Sequence, residues 1–164
     1  MQDIIDKVNV LGNAFAVDNQ SILDGMQKAG AALAVMGTSY QDAFALFTGA
    51  DEVLQDADRV GNGLKTVAMR IRGYAENAET GEYEIDESLA NISGDLINLT
   101  KIEGELPQGI SVYTDDTKYL DDAQKKYKSL VEYFKELSTY WDKFSETQQT
   151  NLLQKLFGKT QANI

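Results

Sequence analysis

Apolar residues recur along this chain at alternating spacings of three and four, and each stripe is closed after a few turns by a cap residue or a glycine. That pattern constrains the fold more than any other feature. A single helix of 164 residues would reach about 246 Å at 1.5 Å per residue, and the repeated punctuation argues against it. Ile4, Val8, Leu11 and Phe15 form a first stripe ending near Ala16, and Asp18 to Ser21 read as a turn and cap. Ile22, Met26, Ala29, Leu33 and Met36 form a second, with Gly37 placed to stop it. Around it lie Gly25, Gly30, Ala31, Ala32 and Ala34, small enough for a neighbouring helix to approach closely. Ser39 and Asp42 give a start signal of the capping-box kind for a third helix carrying Tyr40, Phe44, Phe47, Ala50 and Leu54. Val60, Leu64, Val67 and Ile71 share one face of a fourth, begun by Asp56 and Asp58 and ended by Gly73.

Residues 74–116 change character, being acidic and carrying Gly81, Gly94, Gly104, Gly109 and the sole proline, Pro107. They read as a solvated connection with a short helix through Leu89, Ile92, Leu96 and Leu99. Residues 82–85 and 110–113 alternate like strands, which suggests a small two-stranded element within 82–113. From Thr117 the rhythm of Leu120, Gln124, Tyr127, Leu130 or Val131, Phe134, Leu137, Trp141 and Phe144 predicts one helix of about 28 residues and ~42 Å. Ser145 with Gln148 starts a last helix on Leu152, Leu153, Leu156 and Phe157, ended by Gly158. The expected fold is mainly α: a compact bundle of six or seven helices with one long helix in its C-terminal half, forming a single module over residues 1–164.

Composition narrows function mostly by exclusion. The chain has neither cysteine nor histidine, which removes disulfides, thiol nucleophiles, Cys/His zinc sites and the usual proton shuttle. Carboxylate chemistry is left, but with 26 acidic residues pairs arise by chance, and no motif stands out. The chain is expected not to be an enzyme and to need no cofactor or metal. A net charge of −11 disfavours nucleic-acid binding, and no apolar run approaches the ~20 residues of a membrane span.

Two basic islands interrupt the acidic chain. Lys65, Arg70 and Arg72 lie on the fourth helix, and Lys155 and Lys159 lie near the end. They can pair with the acidic 74–123 region, or meet an acidic surface on a partner.

Several separated segments then point the same way: D-K-V-N-V-L-G-N-A-F-A-V at 6–17, S-I-L-D-G-M-Q-K-A-G-A-A-L-A-V-M-G at 21–37, D-R-V-G-N-G-L-K-T-V-A-M-R-I-R-G at 58–73, and W-D-K-F-S-E-T-Q-Q-T-N-L-L-Q-K-L-F-G-K-T-Q-A-N at 141–163. In order and spacing they resemble the conserved core of tail tape-measure proteins from long-tailed phages and prophages of Gram-positive bacteria. The likeness is weakest over 74–115. At Lys159-Thr160-Gln161 the family often has a basic residue in place of Thr160, which puts any contact needing that second charge in question. Tape-measure proteins are also much longer, so the chain is expected to be one internal module of such a protein.

The resemblance implies a structural role, in which the full protein sets tail length by occupying the growing tube and later leaves so that DNA can pass. It implies tail-tube protein and tail assembly chaperones as partners, and residence in the host cytoplasm during assembly, then in the tail lumen. The candidate contact or internal ion-pair residues are Lys65, Arg70, Arg72, Lys155, Lys159 and Gln161. A generic helical adaptor or a secreted helical effector is the alternative that the same composition fits.

Overall fold

The structure, a computed structural model, describes residues 2–14 and 18–158. Seven α-helices and one two-stranded antiparallel sheet are present among them, so the mainly helical expectation holds. No helix of the described residues is long and apolar enough to cross a membrane. The chain divides into two compact units, Met1–Lys65 and Thr66–Ile164.

The first unit contains α1 (Gln2–Ala14), α2 (Asn19–Val35), α3 (Tyr40–Leu54) and the beginning of α4 (Ala57–Ile71). Their ends are set by side chains. Asp18 Oδ1 accepts the Ser21 amide at 2.9 Å, Ser39 Oγ accepts that of Asp42 at 3.1 Å, and Asp56 Oδ1 accepts that of Arg59 at 3.0 Å. Gly37 and Gly73 take positive φ just past α2 and α4, at 71° and 86°. Val8, Ile22, Ala29, Leu33, Met36, Phe44, Phe47, Val60 and Leu64 are buried. The first stripe's Ile4, Leu11 and Phe15, and its end at Ala16, lie outside the described side chains.

Close approach rests on Gly25. A Cβ there would stand 1.7 Å from the Phe47 ring, and the backbone of Gly25 lies beside Gly61, whose own Cβ would sit 3.0 Å from the Gly25 carbonyl. The face of α3 differs from the sequence reading: Tyr40 is 61% exposed and Leu54 38%, while Ala43, Thr48 and Asp51 turn inward beside Phe44 and Phe47. An acidic residue therefore occupies the apolar stripe, and its Oδ1 has no hydrogen-bond partner among the described residues.

The second unit begins in the last turns of α4, where Val67, Ala68 and Ile71 are buried. The hairpin β1 (Tyr74–Glu76) and β2 (Tyr83–Ile85) follows, pairing Tyr74 with Ile85 and Glu76 with Tyr83. A small sheet does form, but residues 110–113 are not in it. Ile110 and Val112 are instead core residues, packed in a unit with Leu89, Ile92 and Leu96 buried as well. The acidic stretch thus supplies core rather than a solvated connection. Its carboxylates sit mostly at exposed positions between the buried apolar ones. Buried Thr100, at the end of α5 (Ile92–Leu99), accepts the Ile110 amide at 2.6 Å and donates to the Leu96 carbonyl at 2.9 Å.

The expected 28-residue helix from Thr117 is not formed. Residues 113–128 fold back as an irregular strap, with a Tyr113–Tyr127 bridge and amides of Thr114 and Lys128 donating to the carbonyls of Lys126 and Val112. Thr117 Oγ1 accepts the Lys126 amide at 3.0 Å. Leu120 is 44% exposed. The helix proper, α6 (Leu130–Tyr140), starts at a capping box formed by Ser129 and Glu132, and a short 3-10 turn, Trp141–Lys143, separates it from α7 (Glu146–Phe157). Two caps and a strap of side-chain bonds override one long periodicity.

Burial raises the pKa of Asp51, and Asp18 and Asp56 push it the same way while the Asp56 backbone opposes them. Its protonated form therefore favours the fold. That contribution is complete below the ordinary carboxylate value of 3.8 and is lost as pH rises through the raised folded value. Asp51→Asn is expected to stabilise the protein by on the order of 1 kcal/mol at pH 7, with little gain below pH 4. Urea unfolding at both pH values tests this, and a destabilised variant at pH 7 refutes it.

Candidate functional site

Three elements of the second unit, the last turn of α4, α5 and α7, bring Arg70 and Lys155 to one place. Gln148 ties two of these elements together. Its Oε1 accepts the Ser145 amide at the start of α7, while its Nε2 donates to the carbonyls of Leu99 and Lys101 at 3.1 and 3.0 Å, just where α5 ends. The capping residue of one helix thereby also satisfies the end of another. Arg70, in the last turn of α4, reaches the opposite end of α7.

The Arg70 Nε donates to the carbonyl of Lys155 at 2.9 Å. That carbonyl belongs to the last turn of α7, where helical partners run out, and a cation there also complements the helix dipole. Burial lowers the pKa of Arg70, with Asp86 and Tyr83 opposing. Arginine remains charged under such a shift. Lys155 Nζ pairs with Asp95 on α5 at 2.7 Å, both side chains being about one-third exposed (34% and 37%).

Around these groups lies a cleft of about 520 Å³, lined by Arg70, Asp95, Asn98, Asn151, Gln154 and Lys155, with Leu89 and Leu99 as its apolar part. Arg70 and Lys155, read from the sequence as separate basic islands, meet here. Arg72 does not join them; its guanidinium lies 5.6 Å from the centroid of the Tyr74 ring, in a cation–π contact. Lys65 is half-buried on α4, and Lys159 and Gln161 lie outside the described residues.

Asp95, Asn98, Asn151 and Gln154 were not among the residues expected from sequence. A signal exists for them: Asn151, Gln154 and Lys155 stand at i, i+3 and i+4 on α7, as do Asp95, Asn98 and Leu99 on α5. A second polar cleft of about 450 Å³ has Lys118, Lys125 and Lys128 on its walls, each already paired, with Asp115, Asp122 and Glu136 respectively.

The two arginines differ in what they hold. Arg70→Gln removes a charged hydrogen bond to a carbonyl in the last turn of α7 and is expected to destabilise the protein by about 1–3 kcal/mol. Arg72→Gln removes a cation–π contact between half-buried side chains, an effect of about 0.5–1 kcal/mol. Urea denaturation of both variants measures the difference, and equal effects would contradict the capping role of Arg70.

No curated protein and no solved structure matches this chain. The sequence model of the phage-related minor tail protein family does, over residues 1–158. With a match of that extent, the chain belongs to the phage-related minor tail protein family and is a structural component of a phage tail.

Proposed function

We propose that the chain is a folded module of a tail tape-measure protein, acting in tail assembly and tail-length determination and later in genome delivery. The observation that carries this reading is the order of the four matching segments, from the 6–17 and 21–37 stretches through the α4 segment to the α7 segment, along a chain whose family is that of phage tail proteins. Among the described residues the longest helix is α2, at 17 residues, or about 26 Å at 1.5 Å per residue. A ruler needs extended length, so this part serves as a folded docking or packaging element of a longer, rod-like protein. Its partners on this reading are tail-tube subunits and tail assembly chaperones, met first in the host cytoplasm and then in the tail lumen.

An in-frame deletion of residues 1–158 from the gene of the full protein, with tails measured by electron microscopy, tests the reading. Shortened tails or failed assembly are expected, and normal numbers of tails of unchanged length would overturn it. The role is noncatalytic, supported by a composition without cysteine or histidine. A cell-wall hydrolysis assay on this chain is expected to show no activity.

A further inference from the structure

Among the described residues the guanidinium of Arg70 is only partly used. Its Nε is bonded to the Lys155 carbonyl, yet among the described residues no hydrogen-bond or ion-pair partner is found for either Nη. Five N–H donors lie in one rigid plane in arginine, so fixing Nε also fixes the direction of the other two nitrogens. Gly158 passes alongside without a side chain, and a Cβ there would stand 3.5 Å from Nη1.

The surroundings specify what such a fork would take. Lys155 already holds a carboxylate, that of Asp95 at 2.7 Å. Asp86 is near enough to favour the charged arginine, but its own carboxylate accepts the Ser88 amide at 2.8 Å and makes no bond to Arg70. Asn98, Asn151 and Gln154 add side-chain amides, which can both donate to and accept from a peptide group. Phosphate polymers are disfavoured, because the neighbouring hairpin carries Glu76, Glu79, Glu82 and Glu84 in a chain of net charge −11. A single carboxylate meets far less repulsion and matches the planar fork.

We propose that the α4–α5–α7 cleft binds a carboxylate presented by a protein partner: the Nη groups of Arg70 hold its oxygens, and the amides of Asn98, Asn151 and Gln154 meet the peptide groups beside it. An Asp or Glu side chain and a chain terminus offer the same chemistry, so the probes must separate them. Carboxylate capture stands or falls independently of whether the protein sets tail length.

The test is an NMR titration of the whole, isotopically labelled chain, following Arg70 Nε–H and the side-chain amides of Asn151 and Gln154. Four probes are used: the blocked peptide acetyl-Ala-Glu-Ala-amide, acetyl-Ala-Leu-Ala with a free carboxyl end, the blocked Gln analogue, and inorganic phosphate. A saturable shift with the first identifies a side-chain carboxylate, and with the second a terminal one. No saturable shift with either, an equal shift with the Gln analogue, or a shift with phosphate alone overturns the proposal. Gln154→Glu and Asn151→Asp each place a carboxylate at an exposed wall position within the cleft and leave the Arg70 cap untouched. Either is expected to weaken peptide binding at least about tenfold through competition for the fork, with an unchanged circular dichroism spectrum. Undiminished binding in both variants would show that the carboxylate is not held by Arg70.

Discussion

A helix leaves its first amides and last carbonyls without internal partners, and the way those groups are satisfied governs this structure. Asp18, Ser39, Asp56, Ser129 and Ser145 each accept an amide at a helix start. At the other ends, Gln148 and Arg70 donate to carbonyls and glycines with positive φ turn the chain. Each cap is worth only about 1 kcal/mol. Their collective effect is topological, because every stop permits a reversal and every reversal lets short apolar faces bury one another. Without them the same stripes would fit a far longer rod.

That principle also explains how much could be read from the residues alone. The stripe Val60, Leu64, Val67 and Ile71 is buried along its whole length, and the limits of α4 fall where Asp56 and Gly73 place them. Strong periodicity and two cap signals agreed there. Between Thr117 and Phe144 they disagreed, and the caps prevailed: Ser129-x-x-Glu132 is as good a start signal as Ser145-x-x-Gln148, but it is hidden inside a continuing apolar rhythm. The strap before it depends on Thr114, Thr117 and the Tyr113–Tyr127 bridge, contacts between residues whose spacing follows no helical or strand period. The hairpin partner of Tyr83–Ile85 was similarly illegible. Tyr74–Glu76 carries no alternation of its own and is recruited by the turn at Asn77, whose side chain accepts the amide of Glu79 at 2.9 Å.

The site was legible in residue type but not in grouping. Arg70, Arg72 and Lys155 stand out as cations in an acidic chain, yet charge alone could not separate a cap from a ring contact or an ion pair. What separates them is reach. Arg70 leaves α4 half-buried at its last turn and meets the end of α7, whereas two residues later Arg72 lies past the helix and over Tyr74. The sequence candidates for internal pairing and for external contact thus fall partly on the same side chain, because arginine has enough donors for both.

The position of the Arg70 guanidinium also couples two events that are otherwise unrelated. Its orientation is inherited from the Lys155 carbonyl, so when the final turn of α7 frays, the plane of the fork loses its anchor. Thermodynamic linkage is reciprocal. Whatever engages the outer nitrogens in the anchored geometry must tighten the end of α7, and whatever loosens that end must release it. The geometry of the fork and the order of the last turn before Gly158 are in this way two sides of one hydrogen bond.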